Sequence, residues 1–194
     1  MAKNIGYLSS GRTIQSDEVF TPSYVPHAIA KYIPNNIENR ITNILCPFSK
    51  NEHEFSKQFR ELGYNVVNTH FDPATNVGKN FFDYTKEEIT SLNIDYIIDN
   101  PPFSLKCSIL ERCEELDVAY ALLLPLPTLQ GNKRYQKVFS KGNTQALIFA
   151  QRIGYGTKEK TWQEMGMTNH FASIFICKGV LPQSLIFDEL KVIQ

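Results

Sequence analysis

Long apolar runs are missing from this chain of 194 residues. No stretch approaches the roughly 18 consecutive apolar residues of a membrane span. The opening MAKNIGYLSS lacks the apolar segment of a signal peptide. The expectation is a cytoplasmic protein with no membrane partner. Cysteine is scarce: Cys46, Cys107, Cys113 and Cys177 are scattered with no Cys-x-x-Cys. That suits reduced, structural thiols better than disulfides or a zinc site. No metal site is expected either, since Glu52-His53-Glu54 are adjacent on a helix, do not converge on one point, and read as surface. An excess of either charge is also lacking: 20 Lys and Arg balance 20 Asp and Glu. This argues against a general coater of nucleic acid and leaves room for a local basic face. Repeats and low-complexity tracts are absent, and so is the nucleophile elbow of Ser-His-Asp hydrolases. Nothing in the chain sets an oligomeric state.

What is present is a regular alternation. Residues 1–19 read as a polar, irregular arm and 20–194 as one domain with one core. Thr21 or Ser23 caps a helix from Tyr24 to Ile33, and Pro34 ends it. A strand from Ile41 to Cys46 leads through Pro47-Phe48-Ser49-Lys50 to a helix, Glu52 to Leu62, stopped by Gly63. A second strand runs from Tyr64 to Thr69, and a loop carries His70 to Asp83. Thr85 and Glu88 form a capping box for a helix to Leu92. The central strand ends at Asp99, and Ser104 is positioned to cap a helix to Leu116. Strands follow at Val118 to Leu124, Gln145 to Ala150 and Phe171 to Cys177, with a helix from Asn132 to Phe139 and a long loop over 151–170. Strand–helix alternation implies an α/β fold with a mostly parallel sheet covered on both faces. Right-handed crossovers then deliver the strands' carboxyl ends, and the loops after them, to one edge.

The most informative stretch at that edge is Ile94 to Phe103, IDYIIDNPPF. Two prolines cannot continue a strand ladder and hold the backbone extended. Asn100 is thus fixed in a stiff loop at a strand's carboxyl end, where open α/β sheets bind ligands. An amide, a rigid carbonyl and an aromatic ring together suit a planar amine. The competing reading is a plain strand terminator, since Asn-Pro is a common turn opener.

In this setting Asn100-Pro101-Pro102-Phe103 resembles the signature of amino methyltransferases that use S-adenosylmethionine, in particular the small DNA adenine-N6 methyltransferases of phages and prophages. Phe20-Thr21-Pro22 resembles their Thr-Pro element, which closes over the methionine part of the cofactor. Gly78-Lys79-Asn80-Phe81-Phe82 resembles the element that touches the cofactor's adenine, and Ala121 to Pro125 the strand after the catalytic loop. The resemblance implies a Rossmann-like methyltransferase fold, a seven-stranded sheet with an antiparallel last strand. It implies S-adenosylmethionine as cofactor and DNA as partner. Asn100, Pro101 and Phe103 would be catalytic, holding and stacking a base flipped out of its helix. Phe20, Thr21, Pro22, Cys46, Pro47, Phe48, Ser49, His70, Asp72, Asn80, Phe81 and Phe82 would bind the cofactor.

The chain departs from this pattern in its first loop, which has no glycine, in Asp72, two positions later than the usual ribose-binding acid, and in Asn80, which replaces an aspartate. No separate target-recognition domain is expected. The local candidate for substrate contact is residues 131–160, with Lys133, Arg134, Lys137, Lys141, Arg152, Lys158 and Lys160 against Glu159. Pro102 and Tyr155 join Lys133, Arg134, Arg152 and Lys158 as candidate substrate contacts. A solvated helix face with a surface loop explains the same residues equally well, and by default Tyr155 is an exposed loop tyrosine. Trp162, Met165 and Met167 read as a loop packed on the core. Three readings stand: methyl transfer to DNA adenine; the same chemistry on RNA adenine or a protein glutamine amide; and a methyltransferase-like binding module that has lost its cofactor.

Overall fold

The computed structural model describes residues 20–72, 74–156 and 171–191. Nine strands and five α-helices are assigned among them. Helix α1 (Tyr24–Ala30) precedes a hairpin, β1 (Asn36–Ile37) and β2 (Arg40–Ile41). Its two turn residues, Glu38 and Asn39, both have positive φ, as a tight two-residue hairpin turn requires. Then come β3 (Asn43–Cys46), α2 (Glu54–Glu61), β4 (Asn65–Asn68), α3 (Lys86–Ser91), β5 (Tyr96–Asp99), α4 (Lys106–Leu116) and β6 (Ala119–Pro125). The remainder is α5 (Asn132–Lys137), β7 (Gln145–Phe149), β8 (Ser173–Lys178) and β9 (Leu185–Asp188).

Seven strands form one sheet in the order β4-β3-β5-β6-β8-β7-β9. β4, β3, β5 and β6 are mutually parallel, and β7 and β9 pair in parallel. β8 is antiparallel to both neighbours. The fold is the mostly parallel, Rossmann-like α/β arrangement that the alternation implies, with β8 as the antiparallel strand expected at Phe171 to Cys177. One more strand, β9, follows it, outside every expected element. Its sequence, Leu-Ile-Phe-Asp, has an apolar run as short as that of β5, but at the sheet edge its residues alternate between exposed and half-buried.

Side chains alternate across each strand and so build two cores. On one face Ile44, Cys46, Ile98, Ala121, Leu123 and Phe175 meet Val25 and Ile29 of α1 and Phe55 and Phe59 of α2. On the other, Leu45, Ile97, Tyr120, Leu122 and Ile174 meet Ile109, Leu110 and Cys113 of α4. The parallel strands β5 and β6 are buried on both faces, which is why they read as continuous apolar runs.

The capping box at α3 forms in full: Thr85 Oγ1 accepts from Glu88 N at 3.2 Å, and Glu88 Oε2 accepts from Thr85 N at 2.9 Å. Two other expected caps do not form. Ser23 makes no side-chain cap bond to α1. α4 begins at Lys106 behind a 3-10 turn, Phe103–Leu105, so Ser104 lies inside that turn rather than at the helix start. The turn exists because Pro102 N-caps it directly, and Leu105 N donates to Pro102 O at 3.0 Å.

Candidate active site

Three loops meet at the carboxyl ends of β3, β4 and β5. The centre is Asp99, the last residue of β5, which is fully buried. Its Oδ2 accepts from Phe48 N at 2.7 Å. Its Oδ1 accepts from Ser49 Oγ at 2.6 Å and from Asn100 N at 2.8 Å. One carboxylate therefore holds both the loop after β3 and the loop after β5. Burial pushes this carboxyl up to about 6, while the bonds from Ser49, Phe48 and Asn100 and the nearby His70 pull the other way. Asp99 was not among the residues singled out in the sequence. As the polar end of an apolar strand it looks like punctuation, and its partners lie about 50 positions away, so no local pattern reports it.

The glycine-free loop Pro47-Phe48-Ser49 is thus held by side chains instead of by glycine geometry. From the other side, His70 Nδ1 lies 3.0 Å from Phe48 O. Asn68 Nδ2 donates to Ser49 O at 3.4 Å. The Phe48 ring meets Phe81 edge-on at 5.2 Å, and Phe81 meets Phe82 at 5.9 Å. Phe48, Phe81 and Phe82 are therefore brought together with His70 and the β3 loop. Phe81 is buried, whereas Phe48 and Phe82 keep part of their surface open. Cys46 and Pro47 are buried beneath them.

The approach of the two loops depends on Gly78, which has φ +90° and whose missing Cβ would sit 2.0 Å from His70 O. Gly78→Ala is expected to cost about 1–3 kcal/mol from backbone conformation alone. The clash adds to that, so thermal unfolding is expected about 5 °C lower or more.

Two expected cofactor contacts are occupied by the fold itself. Asp72 closes its own turn: Oδ1 accepts from Ala74 N and Oδ2 from Thr75 Oγ1, both at 2.9 Å. These bonds hold its carboxyl below the ordinary value. Asn80 Oδ1 caps the turn at Phe82 N, 3.1 Å away. No acid stands at the end of β4, where Asn68 Oδ1 takes a bond from Arg60. Among the described residues, then, no carboxylate is left free at the place where a ribose-binding acid was expected.

At the β5 loop the geometry is more favourable. Asn100 Nδ2 donates to Thr21 Oγ1 at 3.0 Å. Asn100 Oδ1 is buried and has no hydrogen-bond partner. Among the described residues no hydrogen bond ends on the neighbouring Pro101 carbonyl. Asn100 Oδ1 and the carbonyl of the next residue are thus both without a protein partner among the described residues, and an unpartnered buried polar atom calls for an explanation. Phe103, half-buried, meets Phe171 edge-on at 5.6 Å, and Phe171 stacks on Tyr155 at 5.6 Å. Phe171 was not among the residues singled out, because it lies 68 positions after Phe103. It is held there by the bond from Leu126 N to Ala172 O, 2.8 Å.

The substrate residues divide. Tyr155 is not an exposed loop tyrosine: it is 2% exposed, and its hydroxyl donates to Ser173 Oγ at 2.8 Å. Its ring supports Phe171 and offers no open face to a base. Arg134 is a brace, with Nε donating to Thr128 O at 2.6 Å, Nη1 to Cys107 Sγ at 3.0 Å, and a further bond to Gln130 O. Lys133 pairs with Glu111 at 3.1 Å, and Lys141 with Glu114 at 2.9 Å. Lys137 and Arg152 are exposed and Pro102 is half-buried. Lys158, Lys160, Trp162, Met165 and Met167 lie outside the described residues, as does the 1–19 arm. Two of the stretch's seven cations are thus paired with carboxylates, and a third, Arg134, is turned inward onto uncharged acceptors. Phe20, 46% exposed, forms a two-bond bridge with Gly156, and Pro22 is buried.

No family model and no curated protein matches the sequence. Solved structures do. A modification subunit of a putative type I restriction enzyme from Vibrio vulnificus YJ016 is 10% identical, with a TM-score of 0.55 over 91% of this chain and 48% of that one. A DNMT2 mutant of Spodoptera frugiperda is 13% identical, covers 86% of this chain and 52% of its own, and at a TM-score of 0.40 carries no argument. The first likeness shows a shared fold. This chain spans about half the length of either structure.

Proposed function

We propose that the protein transfers a methyl group from S-adenosylmethionine to the N6 amino group of adenine in DNA. The observation that carries this reading is the pair of unpartnered acceptors, Asn100 Oδ1 and the Pro101 carbonyl, with Phe103 two residues further along the same loop. An exocyclic amine has two N–H donors, and these acceptors match them. Accepting from both hydrogens localises the nitrogen lone pair, which the ring otherwise delocalises, and makes it nucleophilic. Phe103 stacks on the base, a contact worth about 1–3 kcal/mol. S-adenosylmethionine, when bound, supplies an electrophilic methyl group whose sulfur departs with the bonding pair. The amine then gives up one proton to water. The chain's contribution is positioning, which in well-oriented systems removes roughly 7–11 kcal/mol from a barrier. The β3 loop, Phe48, Phe82 and Pro22 are the residues proposed to hold the donor. The shared fold with a restriction-system modification subunit supports DNA as the polymer, with RNA adenine or a glutamine amide using the same two acceptors.

One observation favours a second reading. Asp72, Asn80 and Asn68 are all engaged internally. A chain with this fold and base pocket, lacking a ribose contact, acts as a binding module. Calorimetry with S-adenosylmethionine and its demethylated product separates the two. Micromolar dissociation constants are expected for the enzyme; no binding at millimolar ligand establishes the module.

A further inference from the structure

We infer that Thr21 is a positioning residue for Asn100, a role distinct from contact with the cofactor's methionine. This deepens the methyl-transfer reading and rests on it for its catalytic consequence. The amide of Asn100 reaches across 79 positions to Thr21, Nδ2 to Oγ1 at 3.0 Å, and this bond occupies the donor end of the amide. The acceptor end, Oδ1, stays buried and open. A hydroxyl can accept or donate, so the contact fixes the plane and place of the amide. The incoming amine, itself a donor, then selects the orientation with Oδ1 toward it.

Thr21 can do this because it is clamped on both sides. Before it, Phe20 N donates to Gly156 O at 3.0 Å and Gly156 N to Phe20 O at 2.9 Å. After it, Pro22 is buried and its carbonyl accepts from Val25 N at 3.1 Å as α1 begins. α1 is tied to the same distant segment, since Gly154 N donates to the hydroxyl of buried Tyr24 at 3.1 Å. The same anchoring explains why Thr21 does not cap α1: its hydroxyl faces β5 instead. Asn100 is thereby held at two points, its backbone N by Asp99 and its side chain by Thr21.

The test is Thr21→Val, which keeps the shape and removes the hydroxyl, with Thr21→Ser as rescue. Two readouts are taken on the whole chain. The first is the side-chain amide signal of Asn100 in a ¹⁵N spectrum, assigned by its loss in Asn100→Ala. It is expected to shift in Thr21→Val and to return in Thr21→Ser. The second is kinetic: kcat is expected to fall roughly 10- to 100-fold in Thr21→Val, with S-adenosylmethionine affinity within about twofold of wild type and activity restored by serine. An unchanged amide signal overturns the inference. So does a loss of activity matched by an equal loss of cofactor affinity, which returns Thr21 to the cofactor. If the wild type transfers no methyl group, the proposed function fails, and the amide signal alone decides the Thr21 contact.

Discussion

Asn100→Ala is expected to reduce methyl transfer by about 10³-fold or more while the protein stays folded. The loss follows from the geometry: the variant removes one of two acceptors that localise the lone pair, and with it part of the base's orientation. Stability moves differently. The substitution deletes one part-buried bond to Thr21, worth about 0.5–1.5 kcal/mol net. It also deletes a buried acceptor with no partner, whose desolvation costs about 1–3 kcal/mol. The melting temperature is therefore expected to hold within about 3 °C or to rise. An inactive but equally stable variant, compared with wild type by nucleoside analysis and thermal unfolding, supports a site kept at some cost to the fold. A large drop in melting temperature shows instead that Asn100 serves structure.

Asp99→Asn is expected to weaken S-adenosylmethionine binding roughly 10- to 100-fold, although the two side chains have the same shape. Phe48 N–H points at Oδ2 and Asn100 N–H at Oδ1. An amide NH₂ placed at either position faces one of those N–H groups. Ser49 can reverse its hydroxyl; the backbone cannot. One buried donor is left unmatched at about 1–3 kcal/mol, which the loop recovers by moving away. Each 1.4 kcal/mol is about tenfold in affinity.

The pH dependence has a definite sign. The carboxyl of Asp99 lies at about 6 in the folded protein against an ordinary 3.8, first because of burial. The folded state therefore binds the proton more tightly than the unfolded chain. The stability from this group is complete below pH 3.8 and is lost as pH rises through about 6. By pH 7 the loss is about 3 kcal/mol. Wild type minus Asp99→Asn, measured by urea unfolding, is expected to be about 1 kcal/mol more favourable at pH 5 than at pH 7. A difference independent of pH contradicts the buried, ionising carboxylate.

The sequence makes some of this architecture plain and hides the rest for physical reasons. Apolar runs at Tyr96–Asp99 and Ala119–Pro125 announce themselves because parallel strands are buried on both faces. Thr85 and Glu88 are legible because a capping box is local, three residues from end to end. Asn100-Pro101-Pro102 is legible because proline limits what the backbone can do. The bonds that make these residues a site are non-local and leave no periodic trace: Asp99 to Ser49, Asn100 to Thr21, Phe103 to Phe171. The same reason explains the misplacements. A threonine, a serine or an arginine looks alike in sequence whether it caps a helix, faces solvent or braces a distant segment. Thr21 turns toward β5, Ser104 falls inside a 3-10 turn, and Arg134 is drawn inward by three acceptors. The missing first-loop glycine has its counterpart in Asp99 and His70, which supply from outside the loop the restraint that a glycine turn supplies within it.

The most direct test is the nucleoside product. The chain is incubated with S-adenosylmethionine carrying an isotope-labelled methyl group and unmethylated genomic DNA, and the DNA is digested and examined by mass spectrometry. Labelled N6-methyldeoxyadenosine is expected with wild type and not with Asn100→Ala. Wild type that binds the donor yet leaves every deoxyadenosine unlabelled contradicts the account.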